Sequence, residues 1–405
     1  MKLKLIPLLL CVSMLAACLS GCGGEPAKVE VTESPAPTAG TEETAAPAET
    51  EAPQAEEEVQ KDRYRVAYEK FDPDRSVLRV GSRVITWAEY YSWIYEIATS
   101  IESSLEIADW NEPSELMASH SEDSTFGTYV RETALQYLVL YALIQQKADE
   151  MGVALTQEQE DSIKAEIDGF IQSVGGQETF EQRLAEYYMP FDYFCEQHRV
   201  IELYNCIFEA LYGEDGKNLP EEDAIAYLKD NGYLHAKHIL FLTVDDNRQP
   251  LPEEEIAQKK EEAEQVLAQL QACPPEDLPE LFDSLMQQYS EDTGLLAYPD
   301  GYYFRTGEMV APFENAVLEL EENGLSELVE STYGFHIIFC PTMHGDDVMD
   351  YDSNYMPVTM RSFVSTQIFN GVMDDWMAAA IEEARNTYER GFNPLDLNEL
   401  FRIPE

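Results

Sequence analysis

Positive charge is what this sequence has least of: 26 Lys and Arg stand against 78 Asp and Glu, a formal charge of −52. Such a surface has no means of displacing the counterions of a phosphate backbone, which excludes nucleic acid as a partner, and it does not favour docking on anionic lipid. Long apolar runs are missing too. The run Leu5–Ala17 is too short for a stable span, and no later segment offers the roughly 20 consecutive apolar residues of a transmembrane helix. Cysteine is scarce, at seven residues, and no CxxC pair or Cys/His cluster has metal-ligand spacing, so no structural zinc is expected. Cys195 and Cys206 fall in a helix-like segment about 16 Å apart along its rise, too far to bridge. With Cys273 and Cys340 they are expected to be free, buried thiols. Nothing in the pattern calls for a metal or a cofactor.

What is present begins with an export signal. Lys2 and Lys4 precede the short apolar run, and Leu19-Ser20-Gly21-Cys22 resembles a bacterial lipobox, in which the signal is cut before a cysteine that then receives lipid. Residues 1–21 are therefore read as a lipoprotein signal peptide and Cys22 as the lipidation site, with lipid as the only anchor. Residues 22–62 are Glu, Ala, Pro and Thr with almost no large apolar side chain, a composition expected to form a disordered, extended tether.

The remaining length, with 44% hydrophobic residues overall, is ample for two or three cores. Val77–Ile85 alternates about Gly81 as a hairpin would. Thr86 with Glu89 predicts a capping box, followed by an apolar stripe through Trp87, Tyr90, Tyr91, Ile94, Ile97 and Ile101. Further helices follow, ending at Gly152, running from Thr156 to about Val174, and covering Phe180–Leu211 with a break at Pro190. This makes 63–232 an all-α unit whose aromatics are read mainly as core. Leu234–Val244 reads as a strand, Glu253–Ala272 and Pro279–Tyr289 as helices, and Phe304–Phe339 as a helix followed by a hairpin. The order strand, helix, helix, helix, hairpin is α+β. Met309 and Phe313, four apart, would share a helical face, and Asn323-Gly324 would end that helix. After Pro341 an acidic linker leads to an amphipathic helix from Met360 to Ile381. That apolar face needs a partner, so 343–405 is expected to pack back on the first helical unit.

Four blocks, HAKHILF, QQYSED, GEMVAPFENAVLEL and GLSELVESTYGFHIIF, occur in order between Leu234 and Pro341. They resemble the parvulin-type peptidyl-prolyl isomerases. With the lipobox in front and helices on both sides, the layout is similar to the extracytoplasmic foldase lipoproteins of the PrsA type and to SurA-like chaperones. The resemblance implies an all-α chaperone-like domain with a parvulin-like module inserted at 233–342. It implies catalytic roles for His238, Asp292 and His336, and substrate-binding roles for Met309, Phe313 and Tyr333. The partners it implies are unfolded or partly folded exported polypeptides with Xaa-Pro bonds, handled at the outer face of the cell membrane without a cofactor; the oligomeric state is left open, a dimer being one option. One departure stands out: Tyr298–Tyr303 replaces the family's Gly-Gly-Asp-Leu-Gly-like loop. The alternative reading is accordingly a non-catalytic holdase with a degenerate module.

Overall fold

The computed structural model describes residues 63–114 and 124–404; the signal peptide, Cys22 and the tether lie outside the described residues. The chain forms two compact units: one takes the described residues up to Ile207 together with those from Val372 onward, the other Phe208–Gly371. No helix among the described residues is long and apolar enough to cross a membrane.

In the first unit, β1 (Ser76–Val80) and β2 (Arg83–Thr86) pair antiparallel and lead into α1 (Trp87–Glu102). The Thr86–Glu89 capping box is formed, and Trp87, Tyr90 and Tyr91 are fully enclosed. The aromatic stripe is thus core. Helix α2 (Phe126–Met151) stops at Gly152, whose φ of 68° is the left-handed cap that glycine adopts without strain. Helices α3 (Gln157–Ser173), α4 (Gln177–Glu186) and α5 (Phe191–Tyr212) follow. The chain's last stretch closes on the same unit: Glu389 N–H donates to the Val77 carbonyl at 2.8 Å, and Arg79 N–H to Thr387 Oγ1 at 2.8 Å.

The second unit starts with α6 (Glu221–Asp230) and then builds an α+β module. Its strands are β3 (Tyr233–Leu242), β4 (Tyr302–Arg305), β5 (Gly324–Leu325), β6 (Val329–Glu330) and β7 (Gly334–Cys340). Every pairing is antiparallel, in the order β4-β3-β7-β5, with β6 also on β7. Side chains alternate across the pleat, so residue parity sorts the two faces. Ile239, Phe241, Phe335, Ile337 and Phe339 meet α7 (Glu253–Gln271) and α8 (Leu278–Tyr289) through Val266, Leu270 and Phe282. Ala236, Ile338 and Cys340 meet Phe313 and Val317 of α9 (Ala311–Glu319) on the other face. Strand β7 is covered on both sides, which explains its almost unbroken apolar run. Gly334 opens it at φ 150°, where a Cβ would lie 2.0 Å from the Phe241 carbonyl oxygen, so only glycine fits.

Three expectations are corrected. Helix α9 begins after Val310 and ends at Glu319, so Met309 precedes it and Asn323-Gly324 lies beyond its end. Asn323, at φ 62°, instead donates its N–H to Cys340 O at 2.7 Å and starts the turn into β5. The segment read as an acidic linker contains a hairpin, β8 (Val348–Tyr351) with β9 (Pro357–Thr359), ahead of α10 (Met360–Arg385). Its Met349 buries with Leu228, Met360 and Val364, which is why so polar a stretch still folds. Cys195, Cys206, Cys273 and Cys340 form no disulfide among the described residues, but only Cys340 is buried; the other three are half-buried.

Candidate active site

Parity brings the two histidines together. His238 lies opposite Ile338 and His336 opposite Leu240, so the histidines are diagonal neighbours on the α9 face of the sheet. Their rings are nearly parallel at 18° with centroids 5.3 Å apart, and the two Nδ1 atoms are 3.1 Å apart. Asp292 N-caps the short turn Thr293–Leu296, accepting Gly294 N–H on Oδ1 at 3.0 Å. That pose turns Oδ2 to His238 Nε2 at 3.0 Å and to the Tyr302 hydroxyl at 2.5 Å. On the far side, His336 Nε2 is 2.7 Å from Ser331 Oγ, which accepts Tyr333 N–H at 3.1 Å.

These contacts admit one consistent set of protons for neutral rings. A carboxylate only accepts, so His238 donates from Nε2 and accepts at Nδ1. His336 then donates from Nδ1, accepts at Nε2 from the Ser331 hydroxyl, and Ser331 is fed by the Tyr333 amide. Donation thus runs one way, from the Tyr333 backbone to the Asp292 carboxylate.

Electrostatics agree with that polarity. Burial opposes charge on Asp292, but hydrogen bonds from His238, Tyr302 and Gly294 outweigh it and hold the carboxyl down at about 2. Burial, reinforced by His238, lowers His336 to about 3, so it is neutral at physiological pH. Burial and the adjacent Asp292 push the Tyr302 hydroxyl up, which keeps it a donor. Both depressed groups bind a proton less readily folded than unfolded, where Asp titrates near 3.9 and His near 6.5. The stability they confer is complete above about pH 6.5 and drains away as pH falls through about 3 for His336 and about 2 for Asp292. The melting temperature is expected to fall steadily below pH 6, and less steeply in His336→Gln; equal slopes would contradict this pairing.

The apolar wall is Phe313, only 3% exposed, standing edge-on to His238 at 5.3 Å and to His336 at 5.6 Å. Met309 packs beside it from the loop before α9. That loop is tied down by Glu314, which accepts Gly307 N–H at 2.6 Å. Of the residues singled out from sequence, His238, Asp292, His336, Phe313 and Met309 converge. The Tyr333 ring stands at the turn, 37% exposed, and it is Ser331 that gives the side-chain contact to His336. Sequence reasoning passed over Ser331, Tyr302 and Glu314. Tyr302 belongs to the stretch Tyr298–Tyr303 that departs from the family pattern, and its hydroxyl is nonetheless bonded to Asp292.

Residues 224–341 match the model of the PPIC-type PPIASE domain. The chain is 31% identical over 260 residues to the foldase protein PrsA of Halalkalibacterium halodurans, an alignment spanning 62% of this chain and 68% of that one. It is 29% identical over 208 residues to the foldase protein PrsA of Oceanobacillus iheyensis, spanning 51% of this chain but only 58% of that relative. Among solved structures, that of PrsA from Bacillus subtilis aligns over 82% of this chain and 100% of its own, at 16% identity and a TM-score of 0.23. The chain belongs to the PrsA foldase family, and its residues 224–341 are a PPIC-type peptidyl-prolyl isomerase domain.

Proposed function

We propose that this chain is an extracytoplasmic prolyl isomerase and foldase that acts on exported polypeptides, with the module of 233–342 as its catalytic part. The observation that carries the reading is the packing of Phe313 against both imidazoles, directly beside a carboxylate held ionised. Rotation about an Xaa-Pro bond faces a barrier near 20 kcal/mol and takes about tens to hundreds of seconds unaided. No bond breaks, so the site needs to grip the proline, exclude water and disfavour the planar amide. Met309 and Phe313 supply the grip, a pliable thioether beside a flat ring. The planar amide carries more negative charge on its oxygen than the twisted one. A fixed carboxylate near the carbonyl raises the planar form relative to the twisted form, an electrostatic role with no proton transfer. His238 and His336 hold that carboxylate and the carbonyl-side hydrogen bonds in place.

The test is isomerisation of a proline tetrapeptide followed by exchange NMR. Acceleration by the wild type is expected, with Met309→Ala raising KM about 10-fold more than it lowers kcat. A wild type that leaves the exchange rate at its background value would remove the enzymatic reading and favour holding without turnover. The contact of Tyr302 with Asp292 supports the enzymatic reading; it is made from the first residue of β4, at the end of the stretch that departs from the family pattern.

We further propose a lipid anchor at Cys22, supported by the lipobox-like run Leu19–Cys22. Wild-type protein is expected in the membrane fraction of expressing bacteria and Cys22→Ser outside it; equal partition of the two would sink the anchor.

A further inference from the structure

The loop that departs from the family pattern is built as firmly as a strand. The Asp300 carbonyl oxygen accepts a hydrogen bond from His235 Nε2 at 2.7 Å, and its carboxylate accepts Val348 N–H at 3.0 Å. Tyr303 lies flat on His235, centroids 4.0 Å apart at 8°, and donates its hydroxyl to Asp347 at 2.5 Å. Gly301, at φ 97°, passes so near β3 that a Cβ would sit 2.8 Å from the Ala236 carbonyl oxygen. The hairpin β8–β9 is therefore clamped to the loop by two independent hydrogen bonds.

Along this clamp runs a row of tyrosines leading away from the site. Tyr302 is 5.8 Å from the His238 ring, Tyr298 is 5.2 Å from Tyr302, and Tyr351 of β8 is 6.5 Å from Tyr298. All three are half-buried, so each keeps an accessible edge or face. We infer that Tyr302, Tyr298 and Tyr351 form a second subsite, continuous with the proline groove, that takes an uncharged aromatic or large aliphatic side chain next to the proline of a bound polypeptide. This rests on the reading of the groove as a proline site.

Three physical points select that occupant. Tyrosine rings offer broad contact area with few torsions to freeze, and here the backbone beneath them is already braced, so little ordering remains to be done on binding. The subsite begins at the Asp292 carboxylate, which accepts the Tyr302 hydroxyl, and this fixed negative charge disfavours an acidic side chain. The turn of the same hairpin leaves Tyr355 and Met356 87% and 61% exposed, further apolar area for an extended chain to cover. Tyr351 lies beyond the residues matched to the isomerase domain, whereas Tyr298 and Tyr302 lie within them.

The experiment uses the full chain and two peptide series, one with Phe, Leu, Ala or Glu before the proline and one with the same residues after it. Dissociation constants come from calorimetry and isomerisation from exchange NMR on the same peptides. In one of the two series, Phe is expected to bind about 10-fold more tightly than Ala, with Glu weakest. Tyr351→Ala and Tyr298→Ala should each bring the Phe-to-Ala ratio to about 2 or below. Tyr351→Thr, which keeps a strand-forming residue, should do the same and so separates loss of the ring from loss of the hairpin. A wild-type ratio below about 2 in both series, or a ratio that survives in all three variants, overturns the subsite. Peptides that bind with the expected ratio but are not isomerised would overturn the catalytic reading and leave the subsite standing. Isomerisation without side-chain preference would do the reverse, and no binding at all would overturn both.

Discussion

Asp292→Asn is expected to lower kcat/KM for a proline tetrapeptide by about 100-fold, the scale seen when a fixed electrostatic partner is removed from a site. The substitution preserves size, yet neither orientation of the amide suits its surroundings. Oδ1 receives the Gly294 N–H, and Oδ2 receives both His238 Nε2 and the Tyr302 hydroxyl. An NH2 in the first place faces a backbone donor. In the second it forces Tyr302 to accept and His238 to change tautomer, which reverses every proton down to Ser331. Asp292→Glu keeps the charge but not the cap, and should retain more activity than the asparagine variant. If Asp292→Asn turns over within about twofold of wild type, the electrostatic role assigned to this carboxylate is wrong.

Phe313→Ala is expected to be the most damaging change to the module's stability, costing about 3–4 kcal/mol, since it empties a position between sheet and helix that is buried except for a 3% exposed edge. Its ring touches His238, His336 and Phe304, so both the apolar wall beside the two histidines and the packing of β4 go with it. Phe313→Leu separates the two effects. It should recover most of the stability while leaving KM for the peptide raised severalfold, because the flat face that covers a pyrrolidine ring is gone. Chemical denaturation gives the first quantity and exchange NMR the second. A leucine variant with wild-type KM would mean that Phe313 serves the core alone.

Much of this was legible along the chain because it depends on local rules. Thr86 and Glu89 cap α1 through four consecutive residues, and Gly152 ends α2 by its own left-handed backbone. Parity along β3 and β7 is equally local, and it already orders His238 and His336 onto a common face once the two strands pair. The four blocks that carry the family likeness stand out for the same reason: each is a short run confined to one element and its flanking turn or, in the last block, to three successive strands.

Local rules stop at the ends of their elements. Met309 looked helical by spacing from Phe313, but Pro312 sits at the start of α9 and the chain before it is a loop held by Glu314. The acidic stretch after Pro341 looked like a linker because most of its residues are polar, whereas a few buried side chains and a clamp to Asp300 suffice to order it.

Local pattern alone thus reaches β1, β2, β3 and β7, the caps of α1 and α2 and the α+β order, while the histidines, the carboxylate and the apolar pair are singled out through the family blocks. The tertiary structure decided which neighbours set their chemistry: Tyr302 and Gly294 on Asp292, Ser331 behind His336, and the hairpin behind Tyr303. The division has a physical cause. Backbone propensity and side-chain parity act over a few residues, while a hydrogen bond or a desolvated charge is fixed by groups that only the closed sheet brings within 3 Å of each other.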